Sequence, residues 1–156
     1  MEMILHEAMM REAIKQAVKA SAHDEVPVGA IIVHDRQVIA RAHDQVELLH
    51  DPTAHAEMIA ITQASNFLAS KWLHDCVMYV TIEPCSMCAG AIVLARLKKV
   101  FYGAAAPKTG ACGSVLNIPG NKTLNHQVEI EGGLLAEECG AVLSEFFRIK
   151  RQRSKA

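Results

Sequence analysis

The chemically capable side chains of this 156-residue chain concentrate in two short segments, His55-Ala56-Glu57 and Pro84-Cys85-Ser86-Met87-Cys88. Cysteines at i and i+3 leave a helical turn from the same face, so Cys85 and Cys88 can grip one ion. A helix N-terminus favours thiolate over thiol through the macrodipole and the free amide donors. Pro84 suits such a start, because it fixes the backbone without sacrificing a helical hydrogen bond. Two thiolates do not complete a tetrahedral zinc site, and His55, at the head of another expected helix, is the best third ligand by type and position. Three protein ligands leave one position open, the mark of a catalytic zinc, where water has its pKa lowered from about 15.7 toward about 7. Glu57 follows His55 by two residues, about 200° around an ideal helix. That offset takes it off the ligand face and suits it to proton work: taking a proton from water, passing it to a ring nitrogen and protonating a departing amine.

Taken alone, a C-x-x-C pair also reads as a redox dithiol or as half of a structural zinc knuckle. A knuckle needs a second Cys or His pair at close spacing, whereas Cys76, Cys112 and Cys139 are isolated and read as buried or incidental thiols. His6, His23, His34, His43, His50 and His74 lie mostly in polar surroundings and read as solvated. The order H-A-E, then P-C-x-x-C one strand later, is far more specific than either half.

The elements that must position these residues follow from periodicity. Leu5, Met9, Ala13, Ala17 and Ala20 recur at helical spacing, and the stretch ends near Ser21 to Asp24. Val28 to Val33 and Val38 to Ala40 form a hairpin pattern around His34-Asp35-Arg36-Gln37. Asp51-Pro52-Thr53 closes a polar loop, with Thr53 as N-cap of a helix through Ile61. Val77 to Thr81 reads as a buried strand, Ser86 to Ala95 as a helix, and Val100 to Tyr102 and Val128 to Ile130 as short strands. Between the last two, residues 103–125 form a long irregular loop of the kind that often carries function. From Leu134 through Phe147 into the basic end the pattern is helical. Alternating helices and strands predict a three-layer α/β domain whose first two strands are antiparallel.

With 51% hydrophobic and 21% charged residues, the chain can build one core, and no repeat or linker divides residues 1–156. The N-terminal stretch lacks the basic start and unbroken apolar core of a signal peptide, and no transmembrane run follows. The expected compartment is the cytoplasm, where five cysteines are reduced or metal-bound rather than paired. The formal charge is −1, which taken as an average argues against a nucleic-acid binder. The average conceals an asymmetry. Arg148, Lys150, Arg151, Arg153 and Lys155 fall in the acid-free segment 148–156, leaving 11 basic against 17 acidic residues, a net −6, in the rest.

H-x-E followed by P-C-x-x-C is the signature of the zinc nucleobase deaminases. Beyond it, EVPVGAIIV, DPTAHAEMIAI, YVTIEPCSMCAGAIVLAR, KTGACGSVLNI, LNHQVEI and VLSEFFRIKRQR resemble the bacterial tRNA adenosine deaminases over Glu25 to Arg153. The resemblance implies an α/β/α cytidine-deaminase-like fold with a central mixed five-stranded sheet, one Zn²⁺ per subunit held by His55, Cys85 and Cys88, and Glu57 as proton shuttle. It further implies conversion of adenosine to inosine at the wobble position of a tRNA anticodon loop, by a homodimer whose two subunits both touch the tRNA. By position, the Pro84 carbonyl would receive the substrate amine, the Ala56 amide would contact the base, and Val28 would line the pocket beneath it. Lys108, Asn125, His126, Phe146, Phe147, Arg148 and Arg151 match positions implied in RNA contact, with one of the adjacent phenylalanines packing in the core and the other meeting a base.

Two positions depart from the family pattern: Asp44 stands where asparagine is usual, and Ala106 where aspartate is usual. An ionised Asp44 offers only acceptors and brings negative charge toward RNA. Loss of the aspartate at 106 would weaken the grip on RNA or its distinction from DNA, which rests on the 2′-hydroxyl. The sequence also admits three rival readings: a deaminase of free guanine or cytosine, a non-catalytic RNA-binding module with structural zinc, and a deaminase shifted toward single-stranded DNA or cytosine.

Overall fold

In a computed structural model, residues 2–155 are described. The chain order is α1 (Glu2–Ala22), β1 (Gly29–His34), β2 (Gln37–His43), α2 (Val46–Leu49), α3 (Ala56–Leu68), β3 (Cys76–Ile82), α4 (Ser86–Leu94), β4 (Lys99–Ala104), β5 (Glu129–Glu131) and α5 (Ala136–Lys155). The five strands form one mixed sheet in the order β2-β1-β3-β4-β5. β1 is antiparallel to both neighbours, whereas β3, β4 and β5 run parallel. This is the expected α/β/α arrangement.

Alternation along the strands sorts the core into two layers. Ala30, Ile32, Met78, Val80 and Val100 face α3 and α4, while Ile31, Tyr79 and Phe101 face α1 and α5. The hairpin turn is tighter than the four residues expected: Asp35 and Arg36, at φ 52° and 65°, make it alone. Two consecutive positive φ values match the right-handed twist of the flanking strands.

Thr53 does not cap α3. Its hydroxyl and amide both go to Asp51 Oδ1, at 2.7 and 2.8 Å, so the polar stretch closes on itself and the helix starts three residues later, with His55 at the N-cap. α3 also runs on to Leu68, beyond the expected Ile61, and the single turn α2 has too few residues for a periodic signal. Among the described residues no helix is long and apolar enough to cross a membrane.

α1 lies directly on the backbone of β1. A Cβ built at Gly29 would fall 2.0 Å from the Ala13 carbonyl oxygen and 2.5 Å from the Ala17 nitrogen, both backbone atoms unable to swing aside. Gly29→Ala is therefore expected to destabilise the protein by about 1–3 kcal/mol or more, as overpacking does, seen as a lower urea midpoint. Gly90→Ala, with nothing within 4 Å, should be neutral or stabilising in the same titration.

Candidate active site

Two helix starts meet at the end of the sheet where β1 begins and β2 and β3 finish. His55 is the N-cap of α3 and Cys85 the N-cap of α4, both in extended backbone, and neither side chain caps its own helix. N-cap side chains normally accept from the amides of the first turn. Here they turn toward each other, with Cys85 Sγ 3.7 Å and Cys88 Sγ 3.5 Å from His55 Nδ1.

These three donors form the one His/Cys/Asp/Glu cluster of metal-holding dimensions among the described residues, with ligand atoms within 4.8 Å of one another. Zinc bonds of about 2.3 Å to sulfur and 2.0–2.1 Å to nitrogen, meeting at the tetrahedral angle, span an S···N edge of about 3.5–3.6 Å. The observed edges fit that figure. Cys76, Cys112 and Cys139 lie buried outside the cluster.

The electrostatics suit a cation. The hydrogen bonds of the Cys88 thiol and the His55 ring hold Cys85 down to about 3, and the Cys85 contact lifts His55 to about 9. Cys88, hydrogen-bonded to Cys85 and buried, is pushed up and keeps its proton. Metal binding would displace such protons.

Glu57, at the second position of α3, is 3% exposed, and its Oε1 has no hydrogen-bond partner, the only such buried side-chain oxygen or nitrogen found among the described residues. Burial first, then the neighbouring Asp44, pushes its carboxyl up to about 7. An unpartnered buried carboxylate oxygen is costly in a folded protein. It is the feature expected of a group whose partner is the reacting molecule.

A pocket of about 390 Å³ opens onto His55, Glu57 and Cys85, and Val28, Ile82 and Asp44 join them in its wall. Val28 and Asp44 thus line the same pocket. Asp44 is 7% exposed, and burial lifts it to about 6 against the opposing hydrogen bond from the Ala56 amide. That bond, 2.8 Å to Asp44 Oδ1, engages the one hydrogen the Ala56 amide has, so a base contact there would have to share or displace Asp44. The Pro84 carbonyl already accepts from the Ala111 amide at 2.9 Å and retains a second lone pair. Ala106 gives its amide to Glu83, and its methyl is buried outside the pocket wall.

The remaining candidates are dispersed. Lys108 is exposed beside Thr109, which reaches the pocket wall. Asn125 and His126 do not join the pocket: they line a separate groove with Trp72 and Leu94, and His126 Nε2 lies 3.0 Å from the Leu97 carbonyl. Phe146 is buried and Phe147 is 39% exposed. Arg148 turns back onto Glu145, at 2.6 and 2.9 Å, and Arg153 pairs with Asp24 at 3.3 Å, so two of the five tail charges already have partners. Arg151 is exposed and enters no ion pair among the described residues. Among the pocket residues that sequence reasoning missed are Lys150, Glu25 and Glu83. Lys150 was legible only as one charge among five, and the two buried acids carried a faint signal in their closeness to Pro27 and Pro84.

Comparison with known proteins places this geometry. The family described as MafB19-like deaminase matches residues 4–151. A tRNA-specific adenosine deaminase of Bacillus subtilis (strain 168) is 47% identical over 150 residues, covering 96% of this chain and 93% of the relative. A solved structure from a study of A-to-I editing by tRNA:A34 deaminases at the wobble position superposes with a TM-score of 0.84 at 40% identity, covering 87% of this chain and 99% of that one. A guanine deaminase from Bacillus subtilis is 42% identical with a TM-score of 0.62, over 64% of each chain.

Proposed function

This chain belongs to the MafB19-like deaminase family, among its tRNA-specific adenosine deaminases, and on that premise we propose that it hydrolyses adenosine to inosine at the wobble position of a tRNA anticodon loop. The observation that carries the reaction is the unpartnered Glu57 Oε1, buried in the pocket wall that also holds His55 and Cys85. The wider coverage by tRNA-acting relatives favours that substrate over free guanine.

His55, Cys85 and Cys88 would hold one Zn²⁺, which when bound supplies Lewis acidity that makes water acidic near neutral pH. Glu57 takes the proton of the attacking water at Oε1 and delivers it to the purine ring nitrogen as the water oxygen bonds to the ring carbon bearing the amine. Glu57 then passes the second proton to that amine, which leaves as ammonia while the carbonyl of inosine forms. Val28 and Ile82 give the base an apolar seat, and the wall excludes bulk water from the carboxylate. Because the pocket is recessed, the nucleotide must leave its stack to enter, which a splayed anticodon loop permits.

The proposal includes a cytoplasmic setting and a homodimer. In that dimer the Trp72–Asn125–His126 groove, bordered by Leu94 at 79% exposure, would lie at or near the second subunit and complete the RNA contact. Ammonia release from an anticodon stem-loop carrying wobble adenosine, its DNA counterpart, free guanine, cytosine and adenosine tests the substrate class. The stem-loop is expected to dominate; turnover of free guanine with a silent stem-loop would replace the proposal with the guanine reading.

Truncation before Arg148 removes Lys150 from the pocket wall together with the exposed Arg151. It is expected to weaken stem-loop binding and to reduce the slope of log affinity against log salt by about 0.7 per lost phosphate contact, leaving metal content unchanged. An unaltered slope in a salt titration would reduce the tail to a solvated helix end.

A further inference from the structure

Glu83 follows the last residue of β3 and precedes Cys85 by two positions. Its side chain is 3% exposed, and among the described residues it enters no ion pair. Both oxygens go to one segment, the irregular loop after β4. Oε1 accepts from the Ala106 amide at 3.1 Å and from the Ser114 hydroxyl, while Oε2 accepts from the amides of Cys112 at 2.9 Å and Ser114 at 3.1 Å. Four converging donors thus stand in for a counter-cation.

The backbone beside it repeats the attachment. Ala111 donates to the Pro84 carbonyl, and Cys85 bridges Gly110. Gly110 is required at this spot, since a Cβ there would fall 2.3–2.5 Å from the Glu83 carboxylate carbon and both its oxygens. The loop so fastened carries Lys108 and Thr109, and Thr109 forms part of the pocket wall. It has no helix and no extended strand of its own, and Ala111 and Cys112 are its small buried anchor. The tripeptide 83–85 therefore holds a metal-ligand candidate at one end and the fastening of this wall at the other.

We propose that Glu83 is a positioning residue for substrate: buried and held by four donors, it fixes the 106–114 loop as a rigid wall at a set distance from the His55–Cys85–Cys88 cluster. This rests on the deaminase reading above only for the identity of the substrate. A carboxylate is needed because all four of its acceptor sites are engaged, and an amide in its place would turn two donor hydrogens toward N–H and O–H groups.

Three variants test the assignment: Glu83→Gln, Gly110→Ala and Ser114→Ala, the last removing one donor of four. Hydrogen exchange, metal stoichiometry and steady-state kinetics on the anticodon stem-loop are the readouts. Glu83→Gln and Gly110→Ala are expected to speed exchange at residues 106–114 by about tenfold or more, as loss of buried hydrogen bonds does, with β1 and β3 unchanged and one metal per chain retained. KM should rise by about tenfold with kcat within about threefold, the pattern of lost binding geometry. Ser114→Ala should move both readouts in the same direction by less, and the Glu83→Gln/Gly110→Ala double variant should be no worse than the worse single one, since both break one contact.

Loop protection and KM at wild-type values in Glu83→Gln would overturn the proposal. If Glu83→Gln loses metal or unfolds, Ser114→Ala decides, and its unchanged exchange and KM would overturn the proposal equally. Absence of stem-loop turnover in the wild-type protein would instead reject the substrate reading, and the exchange measurement would still decide whether Glu83 fastens the wall.

Discussion

Glu57→Gln is expected to keep its fold and its metal and to lose about 10³- to 10⁴-fold in turnover, the upper range for a residue that handles protons. The substitution is nearly isosteric and leaves His55, Cys85 and Cys88 untouched, so the loss isolates proton transfer at Oε1. The same change should leave thermal stability equal or raise it. A buried carboxylate oxygen with no partner opposes folding, and a neutral amide there is less costly to desolvate. Lost activity with undiminished stability is the pattern of a group kept for chemistry rather than architecture. Single-turnover inosine formation beside a melting curve measures both. A Glu57→Gln enzyme within about tenfold of wild type would remove Glu57 from the mechanism.

The second large effect belongs to the ligand set. Cys88→Ala and His55→Ala should each abolish metal retention and turnover together, because two remaining donors cannot hold the ion at three-point affinity. Chelation of the wild-type protein should do the same, and added zinc should restore activity. With free zinc at about 100 to 1,000 times its dissociation constant, the metal stabilises the fold by about 2.7–4.1 kcal/mol, so the chelated protein should melt lower. Cys139→Ala supplies the control: its thiol packs under β4 against Gly103, away from the cluster, and its metal content should stay at one per chain. Metal analysis by mass spectrometry on the four proteins makes the comparison. Full metal in Cys88→Ala would contradict the ligand assignment.

What the sequence disclosed follows the range of the forces involved. His55, Cys85 and Cys88 were legible because each depends on a local event, a helix start after a loop or strand, and because the residue types have few other uses in that order. The three-layer arrangement was legible in the buried-strand run of Val77 to Thr81 and in the helical spacing of Leu5 to Ala20. Thr53 misled as a cap because Asp51 gathers both its amide and its hydroxyl into a local turn, and the helix starts only at Ala56. Glu25 and Glu83 stayed hidden because their partners are backbone amides 22 to 31 residues away, those of Glu47 and Leu48 for the first and of the 106–114 loop for the second. Nothing in an isolated Glu-Pro or Glu-Val-Pro announces which loop will fold over it. Asn125 and His126, matched by the family pattern to positions of RNA contact, lie where the path of the chain after β4 takes them, in a groove beside Trp72 apart from the pocket. The tail's five charges, countable from sequence, resolve in three dimensions into paired Arg148 and Arg153, an exposed Arg151 and Lys155 with no ion pair among the described residues, and a Lys150 that reaches the pocket.

The most direct measurement is position-resolved. A tRNA with adenosine at its wobble position is incubated with the purified protein, and each adenosine is then assayed for conversion to inosine, a gain of about 1 Da as an amine is replaced by a carbonyl. The account predicts stoichiometric inosine at the wobble nucleotide and none at the other adenosines of the same molecule. An unmodified wobble adenosine in tRNA exposed to metal-replete protein that deaminates a free base would contradict it.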